Sequence, residues 1–162
     1  MISIQTEDFS LEEEYQRLRK LAGDAGAIVT FTGLVRELYD SSGMTEEQQN
    51  AAQQGKVHTL YLEHYPGMTE KSLQQISDQA AEKWPLLASC IIHRVGELTA
   101  REQIVFVGTA SAHRQDAFES AQFMMDYLKS NAPFWKKQNS AAGSAWIESR
   151  QSDADALDRW QE

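Results

Sequence analysis

The chain has 162 residues, 41% hydrophobic and 24% charged, enough for one domain with a buried core and too few for two full ones. A formal charge of -9 and a pI near 4.9 argue against nucleic acid or an anionic membrane as the main partner, because both select clustered Lys and Arg. An anionic ligand would therefore need a local basic pocket.

One cysteine, Cys90, excludes an intrachain disulfide and a cysteine metal cluster. It lies in the run Ala88-Ser89-Cys90-Ile91-Ile92, which reads as a buried strand with a packed, inert thiol; a catalytic thiol is the alternative. His58, His64, His93 and His113 lack metal-ligand spacing, so neither a metal nor another cofactor is expected. No apolar run approaches the roughly 18 residues of a membrane span, and Met1-Ile2-Ser3-Ile4-Gln5 lacks signal-peptide regions. The expected location is cytoplasmic.

In chain order, residues 1–8 read as a short strand through Ile2 and Ile4. Ser10-Leu11-Glu12-Glu13 supplies a capping box for a helix carrying Leu11, Tyr15, Leu18 and Leu21, which Gly23 ends. From Gly26 to Arg36 a strand sets Val29, Phe31 and Val35 against Thr30, Thr32 and Arg36. Residues 37–56 carry too little apolar material to offset their ordering entropy and are expected to form a mobile loop. A strand over 57–64 runs into Tyr65-Pro66-Gly67. A helix from about Thr69 then carries Leu73, Ile76 and Ala80 to a stop at Trp84-Pro85.

Two strands, 87–95 and 103–110, flank a connection at 96–101. A helix over 115–130 follows, with Ser111 as its expected N-cap and Pro133 ending it near Asn131. Beyond lie Phe134-Trp135, a loop at 140–144, a short strand at 146–148 and an acidic tail around 153–158. The expected fold is α+β: three main helices and a largely antiparallel sheet in a single domain over 1–162.

Several residues carry candidate chemistry. On the 115–130 helix, Phe118, Gln122, Met125 and Lys129 fall within roughly 60° of one another. Lys129 thus joins a partly apolar stripe, where it can complement the final turn and snorkel to solvent, or remain near apolar walls and exchange protons. Ser111-Ala112-His113-Arg114 places an imidazole and a guanidinium at a helix start, an arrangement that suits phosphate; Arg114 pairing with Asp116 or Glu119 is the alternative. The Pro133 break separates Lys129 from Lys136 and Lys137, and a tight turn could return either beside Lys129 and Arg36. Two ammonium groups in one pocket would call for an anion. Glu63 and His64 point to opposite faces of a strand and read as structural. No dinucleotide fingerprint, phosphate loop or nucleophile elbow occurs.

Five runs in this order resemble the large, catalytic subunit of molybdopterin synthase, the MoaE family: Val29 to Arg36, Leu62 to Thr69, Ile92 to Leu98, Ser111 to Arg114, and Tyr127 to Lys129 with Ala132 to Lys137. The resemblance spans about residues 9–150. It implies a hammerhead-type α+β fold and a central homodimer within a heterotetramer that includes two small ubiquitin-like sulfur carriers of the MoaD kind. It also implies transfer of two sulfurs from the carrier's C-terminal thiocarboxylate to cyclic pyranopterin monophosphate, giving the molybdopterin dithiolene. A chain whose one cysteine reads as buried fits a reaction in which sulfur arrives on a partner.

By the same resemblance, Lys129 is the main catalytic lysine and Lys136 assists proton transfer. Arg36, with Val35 and Leu34, and His113, Arg114, Lys137, Gln138 and Arg150 bind substrate. Leu34 stands where family members often carry lysine, and the 37–56 loop is longer than usual for the family. The alternative to the enzyme is a non-catalytic scaffold that keeps the anion pocket for a sulfur carrier.

Overall fold

The computed structural model describes residues 1–36, 45–47, 59–140, 143–147 and 151–161. The loop expected over 37–56 lies outside the described residues except for 45–47, as do residues 57 and 58. In chain order the elements are β1 (Ile2–Gln5), α1 (Leu11–Ala22), β2 (Ala27–Leu34), β3 (Thr59–His64), α2 (Met68–Lys83), β4 (Leu86–Arg94), β5 (Gly96–Thr99), β6 (Gln103–Ser111), α3 (Arg114–Asn131), β7 (Phe134–Ser140), β8 (Gly143–Ile147) and α4 (Gln151–Asp158).

The strands divide into two sheets of four, in the orders β1-β4-β6-β2 and β5-β3-β7-β8. The first is antiparallel except for β1, which runs parallel to β4; the second is antiparallel throughout. The architecture is α+β, as expected, but the strands form two sheets where one was expected, residues 134–140 and 143–147 form the strands β7 and β8 across the expected loop at 140–144, and two further segments differ. The 96–101 connection contains a strand, β5, because Leu98 is fully buried and pairs with Leu60 on β3. The acidic C-terminal segment contains a fourth helix, whose acidic residues sit on a turn or two of chain anchored by Trp160.

Period-two alternation decides what each face of the first sheet touches. Ile91, Val105 and Val107 pack with Leu73, Ile76 and Ala80 of α2 and with Ala121, Met124 and Leu128 of α3. Their neighbours Cys90, Ile92, Phe106 and Ala110 pack with Phe9 and with Leu18 and Ala22 of α1. The sheet is therefore covered on both faces, which explains why β4 and β6 read as near-continuous apolar runs. A third cluster, Val35, Leu60, Leu62, Val95 and Leu98, joins the second sheet to the first.

The helix ends follow their local chemistry. Ser10 Oγ accepts the Glu13 N–H at 3.3 Å, Glu12 to Glu14 fill the first turn of α1, and Gly23 leaves the helix at φ 59°. At α2 the Gly67 N–H donates to Glu70 Oε2 at 2.6 Å, and Trp84 ends the helix in an extended conformation before Pro85.

Candidate active site

Two residues, Ala112 and His113, separate β6 from the helix carrying Lys129. Ser111 is not its N-cap: it is the last residue of β6, fully buried, and its hydroxyl donates to Pro85 O at 3.1 Å. The cap is His113, extended at φ -124°, with no side-chain hydrogen bond to the helix. Gly26 is required beside this turn, since a Cβ there would collide with Ala112 O. Thr109 Oγ1 donates to Ala117 O at 2.7 Å and fastens the first turn of α3 to the end of β6. His113 and Arg114 stay exposed.

At the far end, the Ala132 N–H bonds to Leu128 O and Pro133 releases the chain. Lys129, in the final turn, has a side chain 53% exposed whose Nζ lies 3.6 Å from Asp153 Oδ1. Of the two placements open to it, this is the snorkelled one. The contact comes from α4, a helix in the segment expected as an acidic tail. Ser130 Oγ donates to Asp153 O at 2.6 Å, and Trp160 Nε1 donates to Asp126 Oδ2 at 2.8 Å while its ring meets those of Trp84 and Phe123. Trp160 was the available signal, because a large aromatic near an acidic end needs a surface to cover it.

The chain re-enters a sheet at once. β7 pairs with β3 so that Phe134 faces His64, Trp135 faces Glu63, Lys136 faces Leu62 and Lys137 faces Tyr61. Lys136 and Lys137 therefore belong to opposite faces. Lys136 is exposed on the Phe134 side; Lys137 is half-buried on the other, its Nζ 5.7 Å from the centre of the Trp146 ring. Gln138 lies opposite Leu60 in the register, and Arg150 lies outside the described residues. A cleft lined by Glu63, His64, Tyr65, Trp135 and Trp146 contains none of Lys129, Lys136 and Lys137.

Leu34, Val35 and Arg36 follow a register shift at the end of β2. The irregularity exposes Leu34 (54%) and buries Val35 (4%), whose N–H donates to Glu102 O and whose carbonyl accepts from the Arg101 N–H. Arg36 is exposed. In the register Leu34 pairs with Gln103 and Ala27 with Ser111, so Arg36 and His113 lie beyond opposite ends of β6, a strand that spans about 26 Å at 3.3 Å per residue. From Arg114 to Lys129 the axial rise along α3 is about 22 Å. Within one chain the candidates thus form two groups: Arg36 and Lys129 toward one end of the first sheet, His113 and Arg114 at the other.

Two titratable groups near these elements are strongly shifted. Burial pushes the Cys90 thiol up to about 11, in keeping with an inert thiol. Burial drives His93 down to about 4, with the nearby charges of Lys136 and His64 acting in the same direction. Among the described residues no three His, Cys, Asp or Glu side chains gather as a metal site, and no helix is long and apolar enough to cross a membrane.

A family model described as MoaE protein matches residues 4–131. The chain belongs to the MoaE family. It is 48% identical over 160 residues to the molybdopterin synthase catalytic subunit of Vibrio cholerae, covering 99% of this chain and 97% of that one. The solved MoaE protein of Burkholderia ambifaria superposes with a TM-score of 0.81 at 43% identity, over 100% of this chain and 98% of that one. A complex of subunits 1 and 2 of molybdopterin-converting factor from Helicobacter pylori gives a TM-score of 0.70 over 92% and 91% of the two chains; at 18% identity it speaks for the fold alone. The MoaE match ends with α3, so Lys129 falls inside it, while Lys136 falls only within the full-length likenesses.

Proposed function

We propose that the chain is the catalytic subunit of a cytoplasmic molybdopterin synthase, which transfers two sulfurs from the C-terminal thiocarboxylate of a small ubiquitin-like carrier to cyclic pyranopterin monophosphate. Each carrier leaves as a carboxylate, and water opens the cyclic phosphate as the dithiolene forms. The observation that carries this reading is Lys129: a half-exposed ammonium in a last helical turn, already beside a carboxylate oxygen at 3.6 Å. A thiocarboxylate offers the same charge and can replace Asp153 there. Lys129 then pairs with the tail and moves protons as sulfur adds and oxygen leaves, while Lys136 on β7 assists.

The substrate's phosphate calls for His113, Arg114 and Arg36. Their separation within one chain favours a site completed across a homodimer, with His113 and Arg114 supplied by the second copy. The whole assembly would be that homodimer with a carrier at each end.

Wild-type protein given thiocarboxylated carrier and cyclic pyranopterin monophosphate should form the dithiolene, and Lys129→Ala should lower the rate about 10²–10⁴-fold with its melting temperature unchanged. Tight carrier binding without product from the wild type would favour the scaffold reading instead, and wild-type turnover by the variant would sink the lysine assignment. Mixing Lys129→Ala with Arg114→Ala chains, refolded together, should restore about a quarter of wild-type activity, since half the dimers are mixed and each has one intact site. No recovery would place both residues in one chain's site.

A further inference from the structure

His93 is a buried, titratable side chain that the reaction above does not use. It lies on β4 opposite Val105, is 5% exposed, and its ring stacks on Phe134 with centroids 3.9 Å apart and planes 22° apart. Its Nδ1 lies 2.8 Å from Arg94 O. A neutral imidazole must donate there, because a carbonyl only accepts, so the tautomer and the ring plane are both set by the backbone of its own strand.

Phe134 opens the strand that bears Lys136. The chain before it is pinned elsewhere: Thr69 Oγ1 donates to Pro133 O at 3.1 Å and accepts the Tyr65 N–H at 3.0 Å, and the Phe134 N–H donates to Ala132 O at 2.9 Å. Two residues on, Lys136 shares the Phe134 side of β7, opposite the fully buried Leu62. Trp135, between them, points to the opposite face, where its ring meets those of Tyr65 and Trp146, so on the lysine's own face the Phe134 ring is the last side-chain constraint before Lys136.

We propose that His93 is a positioning residue: by stacking face to face on Phe134, it sets where β7 begins and so where Lys136 stands. The role rests on the reading of Lys136 as catalytic. A flat, uncharged ring suits the place, since an imidazolium would repel the Lys136 ammonium, and its Nδ1–H satisfies a carbonyl that phenylalanine would leave without a donor.

Two variants separate stack from hydrogen bond. His93→Asn can keep a donor for Arg94 O but loses the stack; it should lower kcat about 10–100-fold with KM for the pterin within about twofold. His93→Phe keeps the stack and should retain kcat within about threefold, despite lower stability. In a Lys136→Ala background, His93→Asn should cost less than about twofold further, because the group it positions is gone. Wild-type kcat in His93→Asn, equal losses in the Asn and Phe variants, or additive losses in the double variant would each overturn the proposal. If Lys136→Ala itself turns over normally, the reading of Lys136 falls. If Lys136→Ala is inactive while His93→Asn is not, only the positioning role falls.

Discussion

Arg94 and Lys129 are both cations beside carboxylates, yet they are held in opposite ways. The Arg94 side chain is 7% exposed and held at all three nitrogens: Nε and Nη2 donate to Thr6 O at 3.2 and 3.0 Å, and Nη1 donates to Gln103 O at 3.0 Å and to Glu102 Oε1 at 3.3 Å. Asp8 stands 3.8 Å away. Lys129, 53% exposed, meets Asp153 at 3.6 Å in the final turn of a helix. A buried guanidinium tied to backbone carbonyls is part of the frame and cannot be lent to a ligand. An exposed ammonium beside one carboxylate can exchange it for another at little cost.

The largest effect should come from breaking the first arrangement. Arg94→Met leaves Thr6 O and Gln103 O without their donor where β1, β4 and β6 converge. It should destabilise the chain by about 3 kcal/mol in urea unfolding. Lys129→Met should stay within about 1 kcal/mol of the wild type in the same measurement. Equal losses would mean that Lys129 belongs to the frame after all.

The sequence displayed the frame better than the site, for a physical reason. Apolar alternation and helix stops are local signals, and they placed α1, α2, α3, β4 and β6 within a few residues of where they fold. β5 escaped because four residues around Leu98 have no period of their own; only pairing with β3 makes them a strand. Lys129 stood out by helical phase, and the Pro133 break correctly separated it from Lys136. That Lys136 and Lys137 take opposite faces depends on the register of β7 against β3, and that Arg36 and His113 lie at opposite ends of β6 depends on its pairing with β2. Neither pairing is written in the spacing of the residues concerned.

Histidines offer a second form of the same contrast. His93 is buried and neutral, whereas His113 caps α3 in solvent. Unfolded, His93 takes up a proton near the ordinary histidine value of 6.5; folded, it resists until about 4. Between those values the unfolded chain binds more protons, so stability falls as pH falls. Urea unfolding at pH 7 and pH 4.5 should differ by about 2–3 kcal/mol more in the wild type than in His93→Phe. The carboxylates of Asp8, Glu70, Glu102 and Glu119 are all shifted downward, so their own losses come at lower pH and leave this window to His93. An identical acid dependence in the two proteins would mean that His93 accepts its proton inside the fold.

The smallest effect tests the exchangeable end of the comparison. Asp153→Asn removes the charge beside Lys129 but keeps the Asp153 carbonyl that accepts from Ser130, and Trp160 still anchors α4 through Asp126 and the aromatic cluster. Stability should therefore change by less than about 1 kcal/mol. An anionic tail would no longer compete with a resident carboxylate, so calorimetric affinity for a peptide ending in the carrier's carboxylate should rise about twofold to threefold, the gain shrinking as salt is added. Weaker binding in the variant would mean that Asp153 orients Lys129 for the tail instead of occupying its place, and the contact between α4 and α3 would then belong to the site itself.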